Sequence, residues 1–300
     1  MSSPKLPSFK RQKWLLLLLQ EVGSRLSRTD FQKLLFLVSQ DQDEPHFDFV
    51  PYRYGCFSYQ AMTDLDTLQS QGWLRLTDKT VYTETEIQFR NEFSQADTVL
   101  MANSMDRYRN LRGRKLVRYV YEKYPYYALN SEIAREVLND EGYEAVEEHR
   151  RTLDQKKRTL FTIGYEGLKF ETYLNRLIQN SVRLLCDVRQ NPLSRKYGFS
   201  KSTLQRVLPK FGIEYVHVPE LGIISSKRKG LSSMDDFTAL FDEYRDDLPS
   251  RKEGLETLQR LLKEHRRVAL TCFEAHHKSC HRHCISDFLE KQLGQVVVHL

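Results

Sequence analysis

From Thr159 onward, short runs of β-branched and aliphatic residues alternate with stretches of helical period, and this rhythm constrains the fold more than any other feature of the chain. The runs are LFTIGYEG, VRLLCDVR, IEYVHVPELG, VALTCFE and VVVHL, with enough sequence between successive runs to hold a helix. Strands joined in this way pair in parallel, and their unbroken apolar character calls for cover on both faces. The expectation for residues 159–300 is an α/β domain: a mostly parallel sheet with helices on both sides.

The preceding half has a different pattern. Two helices are predicted within residues 10–40, the second capped by Ser27 and Asp30 ahead of Phe31, Leu34, Leu35 and Val38. Ser58 caps a third, carrying Met62, Leu65 and Leu68 and stopped by Gly72; two β-rich runs then flank Thr77-Asp78-Lys79. Three helices and a hairpin predict a mainly α winged helix-turn-helix over residues 1–85. Such a fold commonly sends one helix into the DNA major groove, and it also serves as a protein-interaction module. The segment FVPYRYGCFS and the helix after it resemble the Panacea-type antitoxin domains.

Residues 86–158 read as a helical, Tyr-rich basic connector. Arg107, Arg109, Arg112, Arg114, Lys115 and Arg118 stand among tyrosines there, a mixture suited to phosphates and bases and equally to a solvated helix face. A chain of 300 residues with net charge +6 fits two or so domains and a polyanionic partner, with double-stranded DNA the expected one. The apolar run Leu15–Leu19 is too short to span a bilayer, no cleavage site follows it, and five cysteines do not form a disulfide framework. The expected setting is the cytoplasm, away from membranes.

In parallel sheets, functional groups gather beyond the carboxyl ends of the strands. The first four runs end in Tyr165 and Glu166, in Asp187 and Arg189, in His217 and Glu220, and in Cys272 and Glu274. The basic loops LSRKYGFSKS and SSKRKGLSS, the latter holding Lys227, Arg228 and Lys229, add positions for tracking a phosphate backbone.

The segments GYEG, CDVRQNPLSRKYGFS, EYVHVPELG and CFEAHHKSCHR, in this order, resemble the family catalogued as domain of unknown function 488. The resemblance implies the α/β fold and marks Tyr165, Glu166, Asp187, Arg189, Pro192, Arg195, Gly198, Phe199, His217, Glu220, Cys272, Glu274, Cys280, His281 and Arg282 as motif positions.

The window CFEAHHKSCHRHC holds three cysteines and four histidines, yet lacks the paired short spacings of zinc sites. Cys284, Ile285, Phe288 and Leu289 fall on one helical stripe, which assigns Cys284 to the core. Neither a metal nor another cofactor is expected. Cys272 at a strand tip, ahead of a helix capped by Ser279, reads as a nucleophile; such an arrangement, together with the DVR strand, resembles rhodanese-type sulfurtransferases, without their glycine-rich cradle. Glu166, Asp187 and Glu274 read instead as general acid and base. Arg189, Arg195 and Arg282 would then hold phosphate while Tyr165, Tyr197 and Phe199 stack on a flipped base.

The first expectation is a DNA-acting enzyme that excises or modifies a base, a modified one foremost, as in defence against foreign DNA. A sulfurtransferase using Cys272 is the second. A DNA-binding regulator with a ligand- or metal-sensing C-terminal domain is the third.

Overall fold

A computed structural model describes residues 6–228, 230–231 and 233–300, without the side chains of Ser225, Arg228 and Met234. The chain divides into two compact units between Arg151 and Thr152.

The first unit begins α1 (Lys10–Glu21), β1 (Arg25–Ser27), α2 (Arg28–Gln40), β2 (Val50–Tyr52), β3 (Gly55–Phe57), α3 (Tyr59–Ser70), β4 (Arg75–Leu76) and β5 (Thr80–Tyr82). The expected caps form: Ser27 Oγ accepts the Asp30 N–H at 3.0 Å and Ser58 Oγ that of Ala61 at 3.2 Å. The hairpin β4–β5 is present, and β1 pairs with β5 to complete a three-stranded antiparallel sheet. This is the element order a winged helix requires, with the small β2–β3 hairpin inserted between its second and third helices.

Residues 86–151 are not a connector. Their helices α4 (Gln95–Arg107), α5 (Gly113–Lys123), α6 (Ala134–Val137) and the start of α7 (Asp140–Leu153) belong to the first unit, so the boundary falls at 151 rather than 158. The physical reason is a narrow apolar stripe hidden among charges: Leu116, Val117, Val120 and Tyr121 of α5 are buried in one core with Leu34, Phe36 and Leu65. Burying each such side chain contributes roughly 1.5–3 kcal/mol, enough for four to fix a helix whatever its polar face carries.

The second unit runs β6 (Thr159–Gly164), α8 (Phe170–Gln179), β7 (Leu184–Asp187), α9 (Lys201–Val207), β8 (Glu214–His217), α10 (Met234–Asp247), α11 (Lys252–His265), β9 (Arg267–Cys272), α12 (Arg282–Leu293) and β10 (Val297–His299). Its five strands are all parallel, in the order β10-β6-β9-β7-β8. The three inner strands are buried along their whole length. On one face Leu160, Leu184, Cys186, Val268 and Leu270 meet Phe241, Leu258, Leu262 and Ile285 of α10, α11 and α12. On the other, Tyr173 of α8 donates its hydroxyl to Thr271 Oγ1 at 2.8 Å. The expected doubly covered sheet is therefore present. Among the described residues no helix is long and apolar enough to cross a membrane.

The strand order locates the site. β7 leads outward to β8 on one side while β9 leads to β10 on the other, so the chain departs in opposite directions from two neighbouring strands. A crevice opens beyond their carboxyl ends, as parallel sheets dictate at such a reversal.

Candidate active site

A cavity of about 400 Å³ occupies that crevice, lined by Tyr165, Arg189, Gln190, Asn191, Leu193, Ser194, Arg195, Lys196, Ile223, Cys272, Phe273 and Glu274. Of the expected residues, Tyr165, Arg189, Arg195, Cys272 and Glu274 come together here. The volume lies within the range of small-ligand sites.

Two glycines let the walls close. A Cβ on Gly164, the last residue of β6, would stand 1.8 Å from the carbonyl oxygen of Glu274, and one on Gly222 would stand 2.3 Å from the Gln190 nitrogen. Arg282, 1% exposed, donates from Nη2 to the Ala275 carbonyl at 2.8 Å and from Nη1 to that of Glu274. It clamps the loop after β9 from within and is not among the residues lining the cavity. Glu166 also serves that loop: it is exposed and accepts the Ala275 N–H at 3.0 Å.

Asp187 is not an acid or base facing the cavity. It is fully buried and accepts from Arg189 Nε at 2.8 Å, from Arg189 Nη2, from the Arg189 backbone N–H at 3.1 Å and from the Tyr215 hydroxyl at 2.7 Å. Burial opposes the charge on Arg189, but the hydrogen bonds and charge of Asp187 outweigh it and raise the guanidinium pKa. Burial, then the Asp187 charge, pushes the Tyr215 phenol up as well. Arg189 Nη1 reaches the Tyr165 hydroxyl at 2.9 Å and the Phe199 carbonyl at 3.0 Å. The pair is a buried strut fixing one cavity wall.

The aromatic positions separate by depth. Tyr165 stacks on Phe199, centroids 4.4 Å apart, and meets Phe273 edge-on at 5.3 Å. Phe199 is wholly buried beneath it and cannot stack on a base, whereas Tyr197 is exposed against Phe170. His217 donates from Nε2 to the Arg189 carbonyl at 2.8 Å, with Nδ1 3.2 Å from Lys201 Nζ, so it too is a support. Glu220 is exposed, and its backbone carbonyl accepts from Arg251 at 2.7 Å.

Below Cys272 lies a compact cluster. Cys272 Sγ is 3.3 Å from Glu274 Oε2, and the sulfurs of Cys272 and Cys280 each stand 3.8 Å from His281 Nδ1. His281 Nε2 lies 3.0 Å from the Val188 carbonyl oxygen. A carbonyl only accepts, so Nε2 carries the proton and Nδ1 presents a lone pair to the two thiols. Cys280 and His281 are buried, and burial, with Cys272 adding, raises the Cys280 thiol well above its ordinary range. α12 begins at Arg282 with His281 before it, so Ser279, in a 3-10 turn, is not its cap. Cys284 lies in the core beneath α10, as its helical register predicted.

The basic positions fare unequally. Arg195 is exposed at the cavity, and Lys196, missed as an individual residue within LSRKYGFSKS, donates to the Tyr165 carbonyl at 2.7 Å. Burial lowers the Lys196 pKa against the pull of Glu166. Phe273, also missed, lay between the two residues singled out at the strand tip. Lys227 pairs with Glu243 at 2.6 Å; the Arg228 side chain and Lys229 lie outside the described residues. In the first unit Arg107 pairs with Asp41, Arg109 with Asp106 and Arg114 with Glu136, while Arg112 and Arg118 donate to carbonyls and Lys115 is exposed. Internal carboxylates thus offset much of the expected basic stripe. α3, the helix a winged helix would offer to a major groove, contains no lysine or arginine and exposes Asp66.

Residues 169–289 match the family model described as Domain of unknown function DUF488. The match spans the site residues of the second unit named above except Gly164, Tyr165 and Glu166, just ahead of it, and none of the basic positions of the first unit. No curated protein matches the chain.

Proposed function

We propose, for a chain whose C-terminal unit carries a DUF488 domain, that this unit is a cytoplasmic enzyme that hydrolytically modifies a base of DNA. The observation that carries the reading is the composition of the cavity wall: one carboxylate, Glu274, stands among the cations Arg195 and Lys196 and the rings of Tyr165 and Phe273, with Arg189 paired to Asp187 behind them. Cations meet phosphate, rings meet a base turned out of its stack, and the carboxylate moves protons. Five free, buried cysteines suit a reducing compartment. With Asp187 buried, Glu274 is the carboxylate on the cavity wall, which lends less support to the paired-carboxylate scheme of glycosidic cleavage. Modification therefore fits better than excision. Attack on foreign or modified DNA is the setting this chemistry suits.

The test is incubation of the full chain with plain and modified oligonucleotides, single- and double-stranded, followed by nucleoside analysis and abasic-site detection. Wild type yields an altered nucleoside, and Glu274→Gln lowers the rate by about 10²–10⁴-fold, the usual contribution of a general acid–base. No product from any substrate overturns the reading.

One observation favours sulfur transfer as a second reading: Cys272 itself lines the cavity, with the Nδ1 of His281 beside its sulfur. The neighbouring Glu274 carboxylate is unlike the cationic surroundings of activated cysteines. Intact-mass analysis after treatment with a sulfur donor decides it, a persulfide on Cys272 being the expected product.

A further inference from the structure

The seven potential donors of CFEAHHKSCHRHC reduce to three in space. Cys284 Sγ faces the Phe241 carbonyl at 3.9 Å, in the core. His283 Nε2 lies 2.9 Å from Arg245 Nη2, while His276 stacks on His277 and His277 on His299. Cys272, Cys280 and His281 remain, with one donor atom from each within 4.8 Å of the others.

We infer that Cys272, Cys280 and His281 bind a zinc-like divalent metal through two sulfurs and Nδ1, leaving a fourth position open toward the cavity and Glu274.

Three independent features carry this. The first is spacing. Zinc bonds of about 2.3 Å to sulfur and 2.0–2.1 Å to nitrogen place sulfur and nitrogen ~3.5 Å apart in a tetrahedron. Both sulfurs stand 3.8 Å from Nδ1, so a small contraction closes the site. The second is the fixed tautomer. Metal-bound histidines usually donate their other ring N–H to a carbonyl or carboxylate, and His281 does so to Val188 at 3.0 Å. The lone pair is thereby aimed at the sulfurs before any metal arrives. The third is the exit. Cys272 and Glu274 both line the cavity, and Glu274 Oε2 is 3.3 Å from Cys272 Sγ. Three protein ligands and one open position are the stoichiometry of catalytic rather than structural zinc.

The metal's role rests on the proposed base modification, although its binding does not. One His, two Cys and a nearby unligated Glu form the donor set used for hydrolytic deamination of bases. In that reaction Glu274 would carry one proton of water to the ring nitrogen as the oxygen bonds to the carbon and the ring C=N bond opens. It would then carry the proton of the new hydroxyl to the exocyclic amine, so that C=O forms, the C–N bond breaks and ammonia leaves. The substrate class is accordingly a base bearing an exocyclic amine.

The experiment is metal analysis of the full chain as purified, followed by chelation and titration with cobalt(II). Stoichiometric zinc and thiolate-to-cobalt charge-transfer absorption with tetrahedral ligand-field bands are expected. Cys280→Ser and His281→Gln lose the signal, while Cys284→Ser and Glu274→Gln retain it. Folded wild-type protein that holds no zinc and gives no thiolate–cobalt spectrum overturns the site, whatever the DNA assays show. Metal bound with the expected spectrum but without deaminated nucleoside supports the site and overturns its role in base chemistry.

Discussion

The Asp187 carboxylate engages Arg189 through Nε and Nη2, one edge of the guanidinium, and through the backbone N–H, two residues along the same chain exit, with the Tyr215 hydroxyl donating to its second oxygen. An aspartate at a strand tip thus supports the wall of a cavity it does not face. Its charge is matched inside the protein and not offered to a substrate.

Asp187→Asn tests this directly. Removing one partner of a buried ion pair costs about 3–5 kcal/mol, because the other charge stays buried and uncompensated. A lowered urea midpoint of the C-terminal unit is expected, with lost activity following lost structure. An unchanged midpoint together with abolished turnover would return Asp187 to the chemistry.

Arg195 is exposed at the cavity, so Arg195→Ala leaves the fold intact. Its loss raises the KM for an oligonucleotide, leaves kcat nearly unchanged, and reduces the slope of log affinity against log salt by about 1, the share of one phosphate contact. Salt-dependent binding measured by fluorescence anisotropy reads the slope.

Gly164→Ala places a methyl group where the Glu274 carbonyl sits, at 1.8 Å. Overpacking of this kind costs about 1–3 kcal/mol. Because the displaced loop carries Glu274, turnover falls much further than stability. Parallel kinetics and denaturation would show the disproportion; equal losses would make Gly164 a packing residue only.

His277 and His299 stack 3.7 Å apart, and burial together with their mutual repulsion lowers the His277 pKa to about 4; burial lowers that of His299. The unfolded chain takes up these protons at the ordinary value near 6.5 and the folded one does not. Their contribution to stability is therefore complete above pH 6.5 and is lost as the pH falls toward 4. Histidine titration by NMR should give a His277 midpoint near 4, and acid denaturation should lose part of its slope in that window in His277→Gln.

The strand rhythm and the caps Ser27 and Ser58 were legible in the sequence because both are local signals: a period of alternation, and a side chain reaching its own helix. So was the helical register that sends Cys284 into the core. Depth was not legible. Asp187, Phe199 and Arg282 have the chemistry of a site, and only the packing around them shows that they face the protein interior. The tautomer of His281 depends on the carbonyl of Val188, 93 residues away, which no short window contains. Helix α5 was masked in the opposite way, its charges concealing a stripe that joins the first core.

The central pair β6–β9 has a temporal consequence. Thr159 and Arg267 meet in register although 108 residues separate them, with β7 and β8 already drawn to one side. A ribosome releases Tyr165 and Arg189 long before β9 can slot between their strands, leaving two sheet edges exposed while the chain waits. Closing so long a loop is slow, so assembly of the cavity should be among the last events in folding this unit and the interval in which it is most prone to aggregate.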